Sequence, residues 1–361
     1  MRIAFYAPLK SPNHPVPSGD RQMARLLMKG LECAGHTVET ASELRSFSAE
    51  PLNDHYADKT ADAEVEFARI ARAWTRDRKP DLWFTYHPYY KAPDLLGPKL
   101  GSVFGIPYVT AEASYSTRRN IGAWTMTQAL VADAVAQAAV NICFTKRDHD
   151  GLSAIAPRAA FAMLRPFIDT AHVGVAPAAS DGTRLVTVAM MRPGDKLVSY
   201  RLLARSLARL ADLPWTLSVI GDGPCRAEVM AEFAGIPAKR IEWLGQIETA
   251  AVQPALSHAD IYVWPGCGEA FGLAYLEAQA GGLPVVAQDT AGVSEVVIAD
   301  RTGLLTPPND SSAFADAIRL LLTHASQRRS MGEAARRFVM EERSLAAAAI
   351  RLNDILAKVT T

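Results

Sequence analysis

The chain has 361 residues, which is enough for two domains of ordinary size. Its 38 Lys and Arg residues balance 38 Asp and Glu residues, so bulk charge gives no attraction for nucleic acid or for an acidic membrane. The four cysteines form no CxxC pair, which excludes a zinc knuckle or a dithiol redox motif. We expect a cytoplasmic protein without a signal peptide, because Pro8 soon breaks the N-terminal run and no apolar run is long enough to span a membrane.

The first half alternates between apolar, strand-like runs and amphipathic, helix-like segments. This alternation predicts a parallel sheet that helices cover on both faces. Residues 43–60 show no clear period and are predicted to form a loop. The predicted strands are 2–7, 36–38, 81–86, 106–111 and 140–145, and the predicted helices are 21–34, 61–76, 93–104, 121–137 and 146–155.

The alternation stops and then begins again in the second half. Residues 173–181 consist mainly of Ala, Gly, Pro and Ser, a composition typical of an interdomain linker. We therefore predict a first domain at 1–170, a second at 171–343, and a last helix, within 344–361, that packs back on the first domain. The predicted strands are 184–189, 216–220, 241–244, 261–264 and 284–287, and the predicted helices are 197–210, 225–234, 250–257, 272–281, 311–323, 327–340 and 344–358.

A glycine-rich turn at Gly266, Cys267 and Gly268 separates one of these strands from a helix. Unpaired backbone N–H groups and the positive helix end predict an anion site there. Glu269 and Glu277 follow, eight positions apart, and on a helix that spacing returns to nearly the same face. Because carboxylates repel phosphate, we expect both to accept hydrogen bonds from hydroxyl groups. The pattern suits a sugar nucleotide, and the alternative is an ordinary turn with two solvated acids.

Two cations, Arg192 and Lys196, follow the first strand of the second half. At the carboxyl end of a strand they are placed to bind a diphosphate, Arg through directed bonds and Lys as a point charge. The alternative is two surface cations. The nearby Gly221-Asp222-Gly223-Pro224 lacks the third glycine of a dinucleotide fingerprint, so we interpret it as a turn near the nucleotide.

Polar residues in the first half predict an acceptor side. Gly19 and Asp20 stand where the first strand gives way to a helix, although Ser18-Gly19-Asp20 also suits a plain helix cap. We interpret Asp148-His149-Asp150 as a capping and solvated patch, and we expect no metal site. The polar and aromatic residues that follow predicted strands are His87, Tyr89, Tyr90, Lys91, Glu112, Ser114, Tyr115 and Arg118.

Residues 261–305 closely resemble the signature of the retaining glycosyltransferases of family 4, and residues 17–38 resemble their glycine loop and following helix. The resemblance implies an α/β protein of GT-B architecture: two facing, Rossmann-like, doubly wound domains with an interdomain cleft. It implies that Glu269 contacts the donor sugar and Glu277 the ribose, and that Gly19 lies near the donor phosphate. It further assigns the diphosphate to the backbone of Phe271, Gly272 and Leu273 and to Arg192 and Lys196, and the base to Trp243, Leu244 and Gly245.

Three departures from the family stand out. The family usually places its Arg where this chain has Met191, one position before Arg192. It often has a His where Glu112 stands, so a usual sugar contact is replaced. Its Gly-Gly loop is Ser18-Gly19 here.

The implied activity is transfer of a sugar, with retention, from a UDP-, GDP- or other nucleoside diphosphate sugar to a sugar, a lipid-linked or another hydroxyl acceptor. Such transfer belongs to the synthesis of glycans, glycolipids or polysaccharides. We expect no metal or other cofactor and no nucleic-acid partner. Contact with the inner face of a membrane and the oligomeric state stay open. Two alternatives remain: a sugar-nucleotide 2-epimerase of similar fold, and a non-catalytic subunit that binds a sugar nucleotide.

Overall fold

The computed structural model describes residues 1–16, 18–50, 54–174 and 183–359. The chain forms two compact units, one of Met1–Arg165 with Leu345–Thr361 and the other of Pro166–Ser344. Pro17 and most of the predicted linker, residues 175–181, lie outside the described residues. Within the described ranges, no helix is both long and apolar enough to cross a membrane.

The first unit is built on a parallel sheet of six strands in the order β2-β1-β3-β4-β5-β6. Every residue of β3, β4 and β5 is buried, as expected for the middle of a sheet with helices on both faces. The three-residue β6 was not predicted, because so short a run carries no readable period. The strands are β1 (Arg2–Tyr6), β2 (Thr37–Ser42), β3 (Leu82–Tyr86), β4 (Tyr108–Ala111), β5 (Val140–Cys143) and β6 (Phe161–Met163).

Five helices of the first unit follow its strands, and only the last of them begins at its predicted start, with the largest differences in the second and third. One begins at Asp54 rather than at residue 61, because the sequence of its first two turns carries no apolar period. Another begins at Gly97 rather than at residue 93. There the buried Asp94 Oδ1 accepts the N–H groups of Leu96 and Gly97 at 2.9 and 2.8 Å, which closes a turn before the helix. The helices are α1 (Gly19–Cys33), α2 (Asp54–Arg76), α3 (Gly97–Phe104), α4 (Trp124–Gln137) and α5 (Lys146–Ile155).

The second unit has its own six-stranded parallel sheet, in the order β12-β11-β10-β7-β8-β9. The four-residue β12 was not predicted, because the turn-forming residues before it mask a short strand. Its strands are β7 (Arg184–Val188), β8 (Thr216–Ile220), β9 (Ile241–Gly245), β10 (Ile261–Val263), β11 (Val285–Gln288) and β12 (Gly303–Thr306). The helices are α6 (Asp195–Ala208), α7 (Arg226–Glu232), α8 (Thr249–Ser257), α9 (Leu273–Ala280), α10 (Ser311–Thr323) and α11 (Ala325–Glu342).

The last helix, α12 (Leu345–Ala357), belongs to the first unit and packs along α1. The guanidinium of Arg351 in α12 donates a hydrogen bond to the carbonyl of Met163, 3.0 Å away at the end of β6. Leu352 and Leu356 are fully buried, which gives the helix an apolar face. The end of the chain is thereby fixed to the sheet with which the chain begins.

Each sheet has one switch point, where the strand order reverses. In the first unit the chain leaves β1 for β2 on one side and continues with β3 on the other. In the second unit it runs from β7 to β9 on one side and from β10 to β12 on the other. Ligands of doubly wound sheets bind beyond the carboxyl ends of the strands at this reversal, because the two neighbouring loops diverge there.

Candidate functional site

In the second unit, an ion pair spans the switch point between β7 and β10. Lys196 lies in the first turn of α6, which follows β7, and Glu269 lies in the turn that follows β10. Lys196 Nζ donates a hydrogen bond to Glu269 Oε1. The two side chains are 28% and 18% exposed, so solvent and ligands still reach the pair. The predicted cation and the predicted sugar-binding acid thus share one site.

Trp264 holds Glu269 in place, a role that the sequence pattern did not reveal. Its indole Nε1 donates a hydrogen bond of 3.1 Å to the same Oε1 that Lys196 contacts. The ring is buried against Tyr200, with centroids 4.8 Å apart, and Lys196 Nζ lies 5.6 Å from the Trp264 ring centroid. One carboxylate oxygen therefore has two directed donors, which orients the group before any ligand binds. The signal in the sequence is a Trp at a strand end, five residues before Glu269.

Both the backbone conformation of the turn and the side chains around it require glycine. Gly266 and Gly268 have φ angles of 70° and 68°, in the left-handed region. A Cβ on Gly266 would lie 2.0 Å from the Tyr275 hydroxyl, and one on Gly268 would lie 2.2 Å from Asp195 Oδ2. Neither position has room for a side chain; Gly266 is buried, whereas Gly268 is exposed.

The turn leads into α9, whose N-cap is Gly272. Phe271 and Leu273, on either side of it, bury their side chains. The first N–H groups of a helix have no partner within the helix and carry its positive end. These three residues thus stand at the start of α9, where the anion site is predicted.

The two acids of the motif do not share a helix face, which corrects the helical-spacing argument. Glu269 lies in the turn before α9, whereas Glu277 lies within α9. Both are nevertheless close to the buried hydroxyl of Tyr262. Burial raises the pKa of that tyrosine most, and the charges of Glu269 and Glu277 raise it further.

Arg192 is exposed in the loop after β7, and the structure does not place it in the Lys196–Glu269 pair. The family's usual Arg position, Met191, is completely buried. Its backbone N–H donates to the Asp222 carbonyl at 2.9 Å, and its own carbonyl accepts from Cys225 N at 3.0 Å. Its burial and these two bonds fix residue 191 inside the fold. The cation therefore stands one residue later, where the loop faces solvent.

The segment predicted to hold the base lies at the end of β9. Leu244, the next-to-last residue of β9, exposes 38% of its surface. The Gly245 carbonyl accepts the N–H of Gly221 at 2.8 Å, so the segment adjoins the turn after β8. An apolar side chain beside a glycine turn suits a flat, aromatic ring.

The first unit also has a charged pair across its switch point. Asp20, in the first turn of α1, follows β1, and His87 directly follows β3. His87 Nδ1 lies 3.0 Å from Asp20 Oδ1. Ser18 is the N-cap of α1, since its hydroxyl accepts the N–H of Arg21 at 3.2 Å. Among the described residues, no heavy atom lies within 4 Å of a Cβ added to Gly19.

Glu112 and Asp148 follow the next two strands, β4 and β5, and complete a cluster with His87. Burial opposes a charge on His87, but the carboxylate of Glu112 and the hydrogen bond with Asp20 outweigh it and raise the pKa of His87 to about 9. Burial raises the pKa of Glu112 to about 7, although the charge of His87 and a hydrogen bond with Tyr86 oppose this. Burial also raises the pKa of Asp148. Asp148 takes part in helix capping as predicted, since its N–H donates to the Thr145 hydroxyl, but it is half-buried rather than solvated.

Two features of this cluster cost folding free energy. His87 and Glu112 have φ angles of 57° and 55°, although neither is glycine. Such backbone costs on the order of 1 kcal/mol at each residue and is often retained at functional sites. Glu112 is only 7% exposed, and its Oε2 has no hydrogen-bond partner among the described residues. An unpaired buried oxygen costs roughly 1–3 kcal/mol.

Of the other residues predicted to contact the acceptor, some pack near this cluster and others lie outside it. The Tyr89 ring centroid is 5.2 Å from that of His87, and Tyr90 packs edge-on against Trp124. Ser114 N donates to the Pro88 carbonyl at 3.1 Å. Arg118 lies in the short 3-10 helix Thr117–Arg119 with an exposed side chain, outside the cluster. No group of three or more His, Cys, Asp or Glu side chains in the described part of the chain is arranged to hold a metal ion.

Residues 184–324 match the family described as Glycosyl transferases group 1. The match includes Lys196, Glu269 and Glu277. Within the second unit, residues 184–324 are therefore similar to this family. The switch-point pair of that unit is thus part of the matched sequence.

Several proteins of known activity are similar to part of this chain. Sulfoquinovosyl transferase of Arabidopsis thaliana is 33% identical over 123 residues, which are 33% of this chain and 24% of that protein. The chain spans between about a quarter and about a third of the length of the first curated relatives that it matches.

Solved structures resemble both units. Sucrose-phosphate synthase from Thermosynechococcus elongatus has a TM-score of 0.76 at 18% identity, with 99% of this chain and 98% of that chain covered. Anabaena HepE in complex with UDP has a TM-score of 0.75 at 14% identity, with 99% and 100% covered. These likenesses concern the fold, which is GT-B.

Proposed function

We propose that the protein is a retaining glycosyltransferase of family 4. It moves a sugar from a nucleoside diphosphate sugar to an acceptor hydroxyl, in the synthesis of a glycan, a glycolipid or a polysaccharide. The observation that carries this proposal is the Lys196–Glu269 pair at the switch point of the region that matches the group 1 family. Lys196 supplies a cation for the diphosphate and Glu269 beside it supplies an oriented carboxylate for the sugar hydroxyls, so the pair matches the two ends of a sugar diphosphate.

The donor binds along the carboxyl ends of the second sheet. The N–H groups of Phe271, Gly272 and Leu273 bind the diphosphate at the start of α9. Glu269 accepts hydrogen bonds from sugar hydroxyls, and Glu277 accepts them from the ribose. When the donor enters, Lys196 exchanges part of its contact with Glu269 for a phosphate oxygen.

The base occupies the end of β9, beside Leu244. We name UDP as the first nucleotide to test, because the structurally similar HepE was solved with UDP. GDP and other nucleoside diphosphates are the next candidates.

In the transfer step, the bond between the sugar C1 and the diphosphate oxygen breaks, and the acceptor oxygen bonds to C1 from the same face. Because the attack and the departure take place on the same face, the configuration at C1 is retained. The proton of the acceptor hydroxyl passes to the departing phosphate oxygen. Negative charge grows on the diphosphate as the bond breaks. Lys196 stabilises that charge, with Arg192 contributing from the exposed loop. Because these cations and the helix end supply positive charge, we propose that the reaction needs no metal ion.

A ligand screen followed by product analysis tests this proposal. A true donor raises the melting temperature by mass action, and saturation at 100 times the Kd stabilises the fold by about 2.7 kcal/mol. A panel of UDP-, GDP- and other nucleoside diphosphate sugars identifies the donor. Incubation with donor and an acceptor panel should then release nucleoside diphosphate and a glycoside. Conversion of the donor to its 2-epimer without acceptor would identify an epimerase, and binding without any turnover would identify a binding subunit.

A further inference from the structure

A pocket lies between α2 and the edge strand β2 of the first unit, and we name it the α2–β2 pocket. Its volume is about 200 Å³. An engineered apolar cavity of roughly 150 Å³ is large enough to bind benzene. The lining comes from the start of β1, the middle of β2 and the last turns of α2. The residues assigned to sugar transfer lie beyond the carboxyl ends of strands, so none of them lines this pocket.

Small side chains leave the space open where α2 lies over the sheet. Ala4 is paired in register with Glu39, and Ala41, two residues further along β2, therefore points to the same face. Ala73 of α2 lines the same space. Ala41 and Trp74 pack against the apolar cluster that contains Ala4. The floor of the pocket is thus apolar and belongs to the core.

Trp74 gives the pocket an aromatic wall that is held in place from behind. Its ring packs edge-on against Trp83 and Phe104, with centroids 6.0 and 5.2 Å apart. The side chain is half-buried and lines the pocket. A ring bound against an indole gains stacked or edge-to-face contact in addition to the burial of its apolar surface. The pocket therefore suits a ligand with one aromatic ring.

Two guanidinium groups line the pocket and keep N–H donors that no described residue uses. Arg2 donates through Nη1 to the Arg78 carbonyl at 2.9 Å, while its Nη2 only approaches Glu39 Oε2, at 3.9 Å. Arg69 donates through Nε and Nη2 to Glu66, so its Nη1 is unused within the described part of the chain. Carboxylates accept directed, charge-assisted bonds from such groups.

The acids near the pocket favour an anionic ligand over a cationic one. Glu66 is committed to Arg69, at 2.7 Å. Glu39 exposes 66% of its side chain, so water already solvates its charge. Its separation of 3.9 Å from Arg2 is too long for a hydrogen bond, and a ligand carboxylate can replace that contact. The lining thus offers guanidinium donors without a tightly bound carboxylate.

We infer that the α2–β2 pocket is a second ligand site, which binds a small aromatic carboxylate. The aromatic ring lies against Trp74, above the floor of Ala4 and Ala41, and the carboxylate accepts hydrogen bonds from Arg2 and Arg69. This site goes beyond the proposed function, because its residues take no part in binding the nucleotide sugar or the acceptor. The protein should therefore bind the aromatic carboxylate and the sugar donor at the same time.

NMR of the full chain with isotope-labelled indole nitrogens tests this site, with phenylacetate as the probe. Trp74→Phe identifies the Trp74 signal among those of the six tryptophans. Phenylacetate should shift that signal in the wild-type protein. Phenylacetamide and 2-phenylethylammonium have the same ring without the negative charge. They should bind at least about tenfold more weakly, the factor expected when a hydrogen bond to a charged group is lost.

A matched pair of variants tests whether the probe occupies the pocket. Ala73→Leu fills the space from an exposed helical position where leucine is well tolerated, so this variant should fold and bind phenylacetate at least about tenfold more weakly. Ala68→Leu is the control, because it makes the same change at an exposed position of α2 that does not line the pocket. It should leave binding unchanged. Arg2→Gln should remove the preference for phenylacetate over its amide.

The inference is overturned if phenylacetate leaves the Trp74 signal unshifted, if the amide or the ammonium binds as well, or if Ala73→Leu binds like wild type. UDP-sugar binding is measured in the same samples. Phenylacetate that displaces the nucleotide sugar would occupy the donor site, which also overturns the inference. A protein that binds phenylacetate as described but no nucleotide sugar supports the pocket and refutes the proposed function, so the two failures give different results.

Discussion

Lys196 and Glu269 contact each other although 73 positions separate them in the chain. They meet because β7 and β10 are neighbours in the sheet while the chain visits β8 and β9 between them. Asp20 and His87, 67 positions apart, are joined in the same way across β1 and β3. Each unit thus places a cation and a carboxylate at its own switch point.

Replacing Lys196 by Ala should reduce kcat by roughly 10²–10³-fold, the usual effect of removing one group that stabilises transition-state charge. The fold should persist, because the side chain is 28% exposed. Steady-state kinetics with the identified donor measure the loss. Lys239→Ala is the matched control, since Lys239 is exposed and is the other lysine of residues 166–344. Equal effects of the two substitutions would remove Lys196 from the mechanism.

Glu269→Gln should separate binding of the nucleotide from binding of the sugar. Without the carboxylate, Lys196 loses its partner and is free for the diphosphate, so UDP should bind as tightly as before or more tightly. The sugar loses a charged hydrogen-bond acceptor, so kcat/KM for the donor should fall by about tenfold or more. Calorimetry with UDP and kinetics with the sugar donor measure both effects. Glu248→Gln, at an exposed position of the same unit, should change neither. Parallel losses in both assays would contradict the assigned role.

Gly266→Ala should destabilise the second unit by about 1–3 kcal/mol, because the new Cβ meets the Tyr275 hydroxyl at 2.0 Å and the backbone has a positive φ. Tyr275→Phe removes that oxygen together with its 3.1 Å hydrogen bond to the Trp264 carbonyl. The double variant should therefore be less destabilised than the sum of the two single variants. Chemical denaturation of the four proteins gives the coupling. If the destabilisation of the double variant equals the sum of the two single variants, the new Cβ does not clash with the Tyr275 hydroxyl in the folded protein.

Stability should fall as pH rises from about 6 to 9. The pKa of His87 is raised to about 9 in the folded state, so its contribution is complete below the unfolded value of about 6.5 and disappears as pH passes 9. The pKa of Glu112, raised to about 7, acts in the same direction at lower pH. The rise of the His87 pKa from 6.5 to about 9 corresponds to about 3 kcal/mol at most.

Unfolding at a series of pH values measures this dependence. His87→Gln should flatten it above pH 7, whereas His324→Gln, at an exposed helix junction, should leave it unchanged. A wild-type protein that is equally stable at pH 6 and pH 9 would contradict the charge assignment of the cluster.

Much of the donor site followed from local sequence, because a turn and the helix after it are determined by neighbouring residues. Gly266, Gly268 and Gly272 all adopt positive φ, as a glycine-rich turn predicts. Glu269 was assigned correctly to the turn after a strand, whereas Lys196, predicted to precede a helix that begins at residue 197, lies within the first turn of α6. Their contact could not be predicted from the sequence, because it depends on the order of strands in the sheet, which no local pattern reveals.

The parts that escaped prediction depend on the fold as a whole. Asp148 looks like a simple helix cap in the sequence, and only the neighbouring β4 and β5 bring it toward His87. Trp264 looks like the end of a strand, and only the turn of the backbone at Gly266 directs Glu269 onto its indole. Arg192 was paired with Lys196 by proximity in sequence, but the buried backbone of Met191 fixes it on the exposed side of the loop.

The most direct test of the central claim is to follow the anomeric proton by NMR while the protein acts on its best-stabilising nucleotide sugar and an acceptor. The account predicts release of nucleoside diphosphate, a new glycoside with the anomeric configuration of the donor, and near-complete loss of both products with Lys196→Ala. A product of inverted configuration, or a donor that is converted without any requirement for an acceptor, would contradict it.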